Sequence, residues 1–549
     1  MARLDRVTES SDLAQLAATI GREFSHELLA AVSGKDEATL QAELARLIDA
    51  EILYQKGRQP RCTYIFKHAL LEDAAYNSMV KATRQKYHRR IGEVLEERFP
   101  QVAETQPELL AYHFAEAGLT ARSVEFWLRS GLRARRRSAD LETIADLTRG
   151  LDLLETMPAS ADRDRLELQF LGPLVTAYIA VRGYPSDEIG PVLDRSRVLC
   201  ERVGDRNQLF VLAWGTWIWH AVRGEFRLAV DLAAETMRVA ETLEDPSGVA
   251  EALFPVGATM LYRGDFTGAR AAFERALNSY DDPERARTWS AVTGHDARIT
   301  FRCNLALALW YLGSPEQALV RIREAREIAE ELGQPFHMGY VLHHSGWLSH
   351  HCRLASEAKT AGEEEIDIAL EQGSRSWHAT GRMYKAAGML LEGRVEGVPL
   401  FLDGLEAYRA TGHRLALPYY LSILGSVHTR MGRFQEALDT LDEGLKTVEA
   451  NDDRFQEAEL HRLKGETLLA SSADKASEAE ACFRQALAIA RRQQSKAWEL
   501  RAATSLARLW QRHGRAGDAR TLLGYVFSSF TEGHQLPDLQ EASALIATL

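Results

Sequence analysis

Four large side chains crowd one short stretch of this sequence: Trp214, Trp217, Trp219 and His220. On a helix, Trp214 and Trp217 are three residues apart and share a face. Aromatic anchors of this kind either hold a ligand or fill the core between packed helices, and spacing alone allows both. A second constellation is histidine-rich. His337, His344 and His351 recur every seven residues, with His343, His350 and Cys352 beside them. Seven residues are two helical turns, a rise of ~10 Å, whereas zinc ligands sit ~2 Å from their ion. Neighbours in the stripe therefore cannot share one metal, which leaves a polar groove wall or packing. The arginines at Arg133 and Arg136, like the basic stretch Lys81–Arg90, suit either an anionic partner or a solvated face paired with nearby acids.

Signatures of catalysis are missing. The sequence contains no His-Glu-x-x-His, since His26-Glu27 runs into Leu28-Leu29-Ala30, and no Gly-x-Ser-x-Gly. A phosphate loop needs Gly-x-x-x-x-Gly-Lys-Ser/Thr, but Gly34-Lys35 is followed by Asp36 and lacks the upstream glycine. Neither a catalytic residue nor a metal or cofactor is expected. With 66 Lys+Arg against 78 Asp+Glu, the net charge of −12 disfavours a protein that coats nucleic acid. The five cysteines are scattered and form no C-x-x-C pair, so neither a disulfide framework nor a zinc ribbon is indicated. No apolar stretch approaches the ~20 residues of a membrane span, and the charged N-terminus has no signal-peptide core. A cytoplasmic address is expected.

The elements that must position these residues follow from a repeat. A turn residue, usually glycine, precedes a small residue by five positions at Gly224, Gly264, Gly313, Arg353, Gly393, Gly432, Asp474 and Gly514, with successive turns 40, 49, 40, 40, 39, 42 and 40 residues apart. Glycine tolerates the left-handed backbone of a tight turn between helices. The small residue that follows (Ala229, Ala269, Ala318) lets two antiparallel helices approach, and a large residue one turn later plugs the gap, as in Ala269-x-x-x-Phe273 and Ala479-x-x-x-Phe483. Seven residues before the turn the first helix carries another small residue: Gly257, Ala306, Gly346, Ala386, Gly425 or Ala507. The 49-residue interval marks an insertion at Asp281–Arg298. Residues 1–100 escape the period. Short helices are expected at Asp12–Ile20, Ser25–Val32 and Glu37–Asp49, then β-like Ile52–Gln55 and Thr63–Phe66, and two helices, His68–Met79 and Ala82–Phe99, before a linker at Pro100–Pro107. Pro537–Leu549 reads as a capping helix.

This repeat resembles the tetratricopeptide (TPR) pattern in a long, ~40-residue form; the standard unit is ~34 residues. Three further stretches, Ile20-Gly-Arg-Glu-Phe-Ser-His-Glu-Leu-Leu29, Tyr64-Ile-Phe-Lys-His-Ala-Leu-Leu-Glu-Asp-Ala-Ala-Tyr76 and Gln106-Pro-Glu-Leu-Leu-Ala-Tyr-His-Phe-Ala-Glu-Ala-Gly118, are similar to a bacterial multidomain family. Its members join a class III adenylate/guanylate cyclase or DNA-binding domain to a signal-transduction ATPase, a winged helix and a TPR array. The resemblance implies an all-α fold, a TPR-like right-handed α-α solenoid over 101–549 preceded by a winged-helix adaptor over 1–100. The chain then corresponds to the regulatory C-terminal half of such a protein, without the ATPase and cyclase modules. Implied partners are a protein segment or small effector in the concave groove, and a cyclase or ATPase module. Groove or partner-binding candidates are Trp214, Trp217, His220, His337, His344, Arg133 and Arg136. Two alternatives stand beside this: a transcriptional regulator binding DNA through the winged helix, and one part of a split enzyme. The helix that would read DNA carries Glu37, Glu43 and Asp49 against Lys35 and Arg46, a poor match to phosphates.

Overall fold

The computed structural model describes residues 10–58, 61–137, 139–243, 245, 247–279 and 295–549. They contain 28 α-helices and one small sheet, arranged in two compact units, Met1–Val181 and Arg182–Leu549. Most of the expected insertion at Asp281–Arg298 lies outside the described residues, as do Gln59 and Pro60 of the expected hairpin turn.

The first unit opens with α1 (Ser11–Ile20), β1 (Glu23–Ser25), α2 (His26–Ser33), α3 (Glu37–Asp49), β2 (Leu53–Arg58) and β3 (Arg61–Phe66). The Ser25 hydroxyl caps α2 by accepting from Leu28 N, and the Asp36 carboxylate caps α3 by accepting from Thr39 N. Period-two burial fixes the register of β3: Cys62, Tyr64 and Phe66 point inward. The antiparallel sheet has the order β1-β3-β2, with Tyr64 opposite both Phe24 and Gln55. Three residues are too few to show a period, so β1 left no signal in the sequence. Helices α4 (Ala69–Asn77), α5 (Lys81–Arg98), α6 (Pro100–Thr105), α7 (Pro107–Glu116), α8 (Thr120–Arg136), α9 (Asp140–Glu155) and α10 (Ala161–Arg182) follow. The Pro100–Pro107 stretch is largely helical, because each proline sits at the first helical position, where its missing N–H costs nothing.

The second unit is a run of helix pairs: α11 (Ile189–Val203), α12 (Arg206–Val222), α13 (Phe226–Ala240), α14 (Ser247–Tyr262), α15 (Phe266–Asn278), α16 (Ala297–Tyr311), α17 (Pro315–Leu332), α18 (Pro335–His351), α19 (Ala355–Gln372), α20 (Arg375–Leu391), α21 (Gly397–Ala410), α22 (Leu417–Arg430), α23 (Phe434–Asn451), α24 (Glu457–Ser471), α25 (Ala476–Arg492), α26 (Lys496–Arg512), α27 (Ala516–Phe527) and α28 (Pro537–Thr548). The fold is a TPR-like helical solenoid. Seven of the eight turns found by spacing are left-handed, from Gly224 (φ 75°) to Gly514 (φ 75°), including the non-glycine Arg353 (φ 57°). The eighth, at Asp474, is instead a short 3-10 segment, Ala473–Lys475. Small residues on the first helices are seats for the plugs: a Cβ at Gly257, Gly425 or Gly465 would lie 2.6–2.7 Å from Phe273, Leu441 or Phe483.

One feature departs from a simple repeat stack, in which each unit touches only its neighbours. The carbonyls ending α12, α14 and α16 accept hydrogen bonds from residues nearly 200 positions onward: Val222 O from Arg414 N at 2.8 Å, Tyr262 O from Phe455 N at 3.0 Å and Tyr311 O from Ser495 Oγ at 3.1 Å. Arg263 pairs with Asp452 at 2.7 Å. Ala416, Asp452 and Gln494, in or beside these turns, hold left-handed backbones of 57°, 61° and 54° without being glycine, a strain of about 1–2 kcal/mol each that the inter-repeat contacts sustain. Between them lies an aromatic core in which Trp310 stacks on His351 at 4.2 Å and Trp347 on Tyr419 at 4.9 Å.

Candidate functional site

The residues singled out by spacing lie in several environments. Trp217 is 2% exposed and donates from Nε1 to Thr259 Oγ1 at 2.8 Å. Trp214 is partly buried and stacks on Phe254 and His295. His220 Nδ1 sits 2.6 Å from the Glu225 carboxylate. His337 Nε2 accepts from Asp296 N at 3.0 Å, and His344 Nδ1 donates to Tyr340 O at 2.9 Å while its ring stacks on Tyr340. In the first unit, Arg133 is half-buried and Arg136 exposed on α8. None of these seven lines a cavity that opens in the second unit. Among the described residues no group of His, Cys, Asp and Glu is arranged to hold a metal ion.

That cavity is a groove of about 610 Å³. Its walls are first helices of successive pairs, α18, α20, α22, α24 and α26, together with the C-terminal α28. The last member of the histidine stripe, His351, reaches it. The Trp347 indole N–H donates to His351 Nε2 at 2.9 Å and the Tyr311 hydroxyl lies 3.0 Å from the same nitrogen. An indole can only donate, so Nε2 is the acceptor and the neutral ring carries its proton on Nδ1. Burial holds His351 well below the usual histidine range, so the ring stays neutral. Its Nδ1 has no hydrogen-bond partner among the described residues, and neither has Gln456 Oε1, whose Nε2 donates to Ser422 Oγ at 2.9 Å. Both atoms are closed to solvent, behind residues that line the groove.

Charge is organised as a ladder. Glu466, Arg462, Glu459, Arg501, Asp538, Arg353, Glu541 and Arg508 alternate in sign, and each pairs with the next. Arg462 grips Glu459 through two nitrogens at 2.7 and 2.8 Å. Arg501 donates to Asp538 at 2.8 Å and to His351 O at 2.7 Å, and its guanidinium lies over the Trp310 and Trp498 rings. Burial pushes the Asp538 and Glu459 carboxyls up, but Arg501 with Arg353 outweighs it at Asp538, and Arg462 with Arg501 outweighs it at Glu459; both end below the ordinary carboxylate value. All eight side chains line the groove. A ninth, Arg430, donates to Leu390 O at 3.0 Å and has no carboxylate within 4 Å among the described residues. The ladder was invisible to motif search because its members come from three helices and a turn. One signal was available: Arg353 occupies a turn position that six of its seven counterparts give to glycine and whose backbone remains left-handed.

Comparison with known proteins agrees with this architecture. Residues 415–492 match the Tetratricopeptide repeat family, so this part of the chain is a TPR region. An uncharacterized protein of Rhizobium meliloti (strain 1021) is 23% identical over 511 residues, covering 92% of this chain and 49% of its own length. The chain therefore spans about half the length of the curated relative it matches. Among solved structures, a Rap protein complexed with competence and sporulation factor gives a TM-score of 0.38 at 14% identity, covering 77% of this chain and 99% of its own. A signal transduction ATPase with numerous domains (STAND), with a tetratricopeptide repeat sensor, from Pyrococcus horikoshii gives 0.36 at 12%, covering 95% of this chain and 62% of its own. At these values neither bears on what this chain binds. No helix among the described residues is long and apolar enough to cross a membrane.

Proposed function

We propose that the chain is a non-enzymatic sensor and protein-interaction module whose groove takes an extended peptide segment or small effector. The supporting observation is the groove itself, walled by the first helices of successive pairs and lined by the alternating arginines and carboxylates. An extended peptide presents backbone N–H and carbonyl groups as well as side chains to such a polar wall. A volume of about 610 Å³ suits a few residues of such a chain. The wider role is regulatory: residues 1–100 act as an adaptor and 101–549 as the sensing array of a cyclase- or ATPase-linked signalling protein. The three family-like stretches support this, as does the order α1-β1-α2-α3-β2-β3, that of a winged helix. Free cysteines fit a reducing cytoplasm. Lys35 is paired with Glu43 at 2.5 Å, which leaves α3 acidic and favours the scaffold over a DNA-reading regulator.

Selection of ligands from a random peptide display library on the immobilised chain tests the groove. Peptides recovered on the unaltered protein are expected to lose binding at least tenfold to a Ser426→Trp variant, which fills the groove. They should bind normally to Leu228→Arg, an exposed position away from it. Equal binding to both variants would place the ligand elsewhere.

A further inference from the structure

Helix α28 is joined to the groove by two carboxylates on one face, Asp538 and Glu541, three residues apart. They receive arginines from two distant places. Arg353, in the turn after α18, contacts Asp538 at 3.2 Å and Glu541 at 2.7 Å; Arg501 and Arg508 of α26 contact Asp538 and Glu541 respectively. The apolar side of the helix is anchored by Leu539 and Ala542, which are fully covered. A capping helix needs only that apolar seat. The carboxylates make a second attachment, to a turn some 185 residues earlier, and it lies on the wall of the groove.

Lifting this face of α28 without a substitute would leave Arg353 and Arg508 with no carboxylate partner among the described residues, and Arg501 with Glu459 alone. Arg501 is only 13% exposed, and a buried charge deprived of its partner is strongly unfavourable. Exchange for another pair of carboxylates avoids that cost, because every arginine stays neutralised throughout. Accordingly we propose that Arg353, Arg501 and Arg508 form a binding site for an acidic peptide segment carrying two carboxylates about one helical turn apart, and that α28 occupies this site as a displaceable internal ligand. Entry of the acidic segment releases α28 and widens the groove. This rests on the groove reading above and names the chemistry of its occupant.

The test uses the full chain and a synthetic peptide with the sequence of residues 535–549, read by hydrogen exchange across 537–548. An excess of this peptide is expected to speed exchange of that segment at least tenfold. The same peptide with D538N and E541Q should leave exchange unchanged. In the Arg353→Gly chain, whose turn gains the glycine seen at Gly313 and Gly393, exchange across 537–548 should be faster without any peptide. The proposal is overturned if the acidic peptide leaves exchange unaltered, if the neutral peptide acts equally, or if Arg353→Gly protects α28 as well as the parent does. Display-selected peptides that bind the groove while α28 keeps its protection would retain the groove reading and overturn only this inference.

Discussion

Arg501 concentrates most of the interactions that distinguish this groove. Its guanidinium bonds a carboxylate and a backbone carbonyl, lies within 3.4 Å of Glu459 and faces two indole rings. Such an arginine is fixed by geometry as well as charge, since a planar fork both stacks and bonds in a way that lysine cannot. Arg501→Ala leaves Glu459, only 7% exposed, and Asp538 each short of a partner, and is expected to destabilise the protein by about 3–5 kcal/mol. Arg501→Lys should recover only part of this. Urea unfolding of the three proteins decides; a loss below about 1 kcal/mol for the alanine variant would mean that the ladder is screened like surface pairs. The tryptophans flagged by spacing do not line this groove. Trp217 has its indole N–H satisfied by Thr259 and is 2% exposed.

Helices pair here through seats and plugs. The glycine on a first helix exists because a large side chain from the second occupies its Cβ position, as Phe273 does at Gly257 and Phe483 at Gly465. Ala in place of glycine raises helix propensity by ~1 kcal/mol, yet here any side chain must displace an aromatic ring that is itself fully buried. Gly257→Val is therefore expected to cost about 1–3 kcal/mol through overpacking, despite any gain in propensity. Thermal unfolding against a control at Gly517, where nothing lies within 4 Å of a built Cβ, separates the two effects; equal shifts at both sites would count against the seat. This pairing was legible from the sequence, because seat and plug recur at fixed offsets. The short β1 and the 3-10 turn at Asp474 were not, since neither is long enough to carry a period.

For the molecule as a whole, buried histidines set the response to acid. Burial lowers His343 and His413 to about 4, and His344 and His350 to about 3; in the first unit His88 falls to about 4 and His113 to about 3. The unfolded chain takes up protons below pH ~6.5 while these native rings stay neutral. Each therefore costs about 1.4 kcal/mol of stability per pH unit from there down to its folded value. Glu365 and Asp453, held protonated by burial, act in the opposite sense, losing stability as pH rises above the ordinary carboxylate range. Histidines outnumber them, so the melting temperature is expected to peak near neutrality and fall steeply between pH 6.5 and 5. Scanning calorimetry at half-unit steps checks this; a flat profile over that interval would contradict neutral buried rings. The contacts between distant turns also mean that the second unit is not a one-dimensional array in the energetic sense.

What the amino-acid sequence determined by itself was everything carried by local repetition. The ~40-residue period, the left-handed turns, the small-large pairing of helices and the three helices with a hairpin at the start all follow from side-chain size and backbone preference within one unit. What only the tertiary structure decided was which repeats meet beyond their neighbours, and hence the groove. Arg353, Glu459, Arg501 and Asp538 come together across 185 residues, because the path of the stack depends on the sum of many small rotations between repeats. No residue type at any single spacing records that sum. Of these four, Arg353 alone left a trace, as a charged residue standing where most of the turns have glycine.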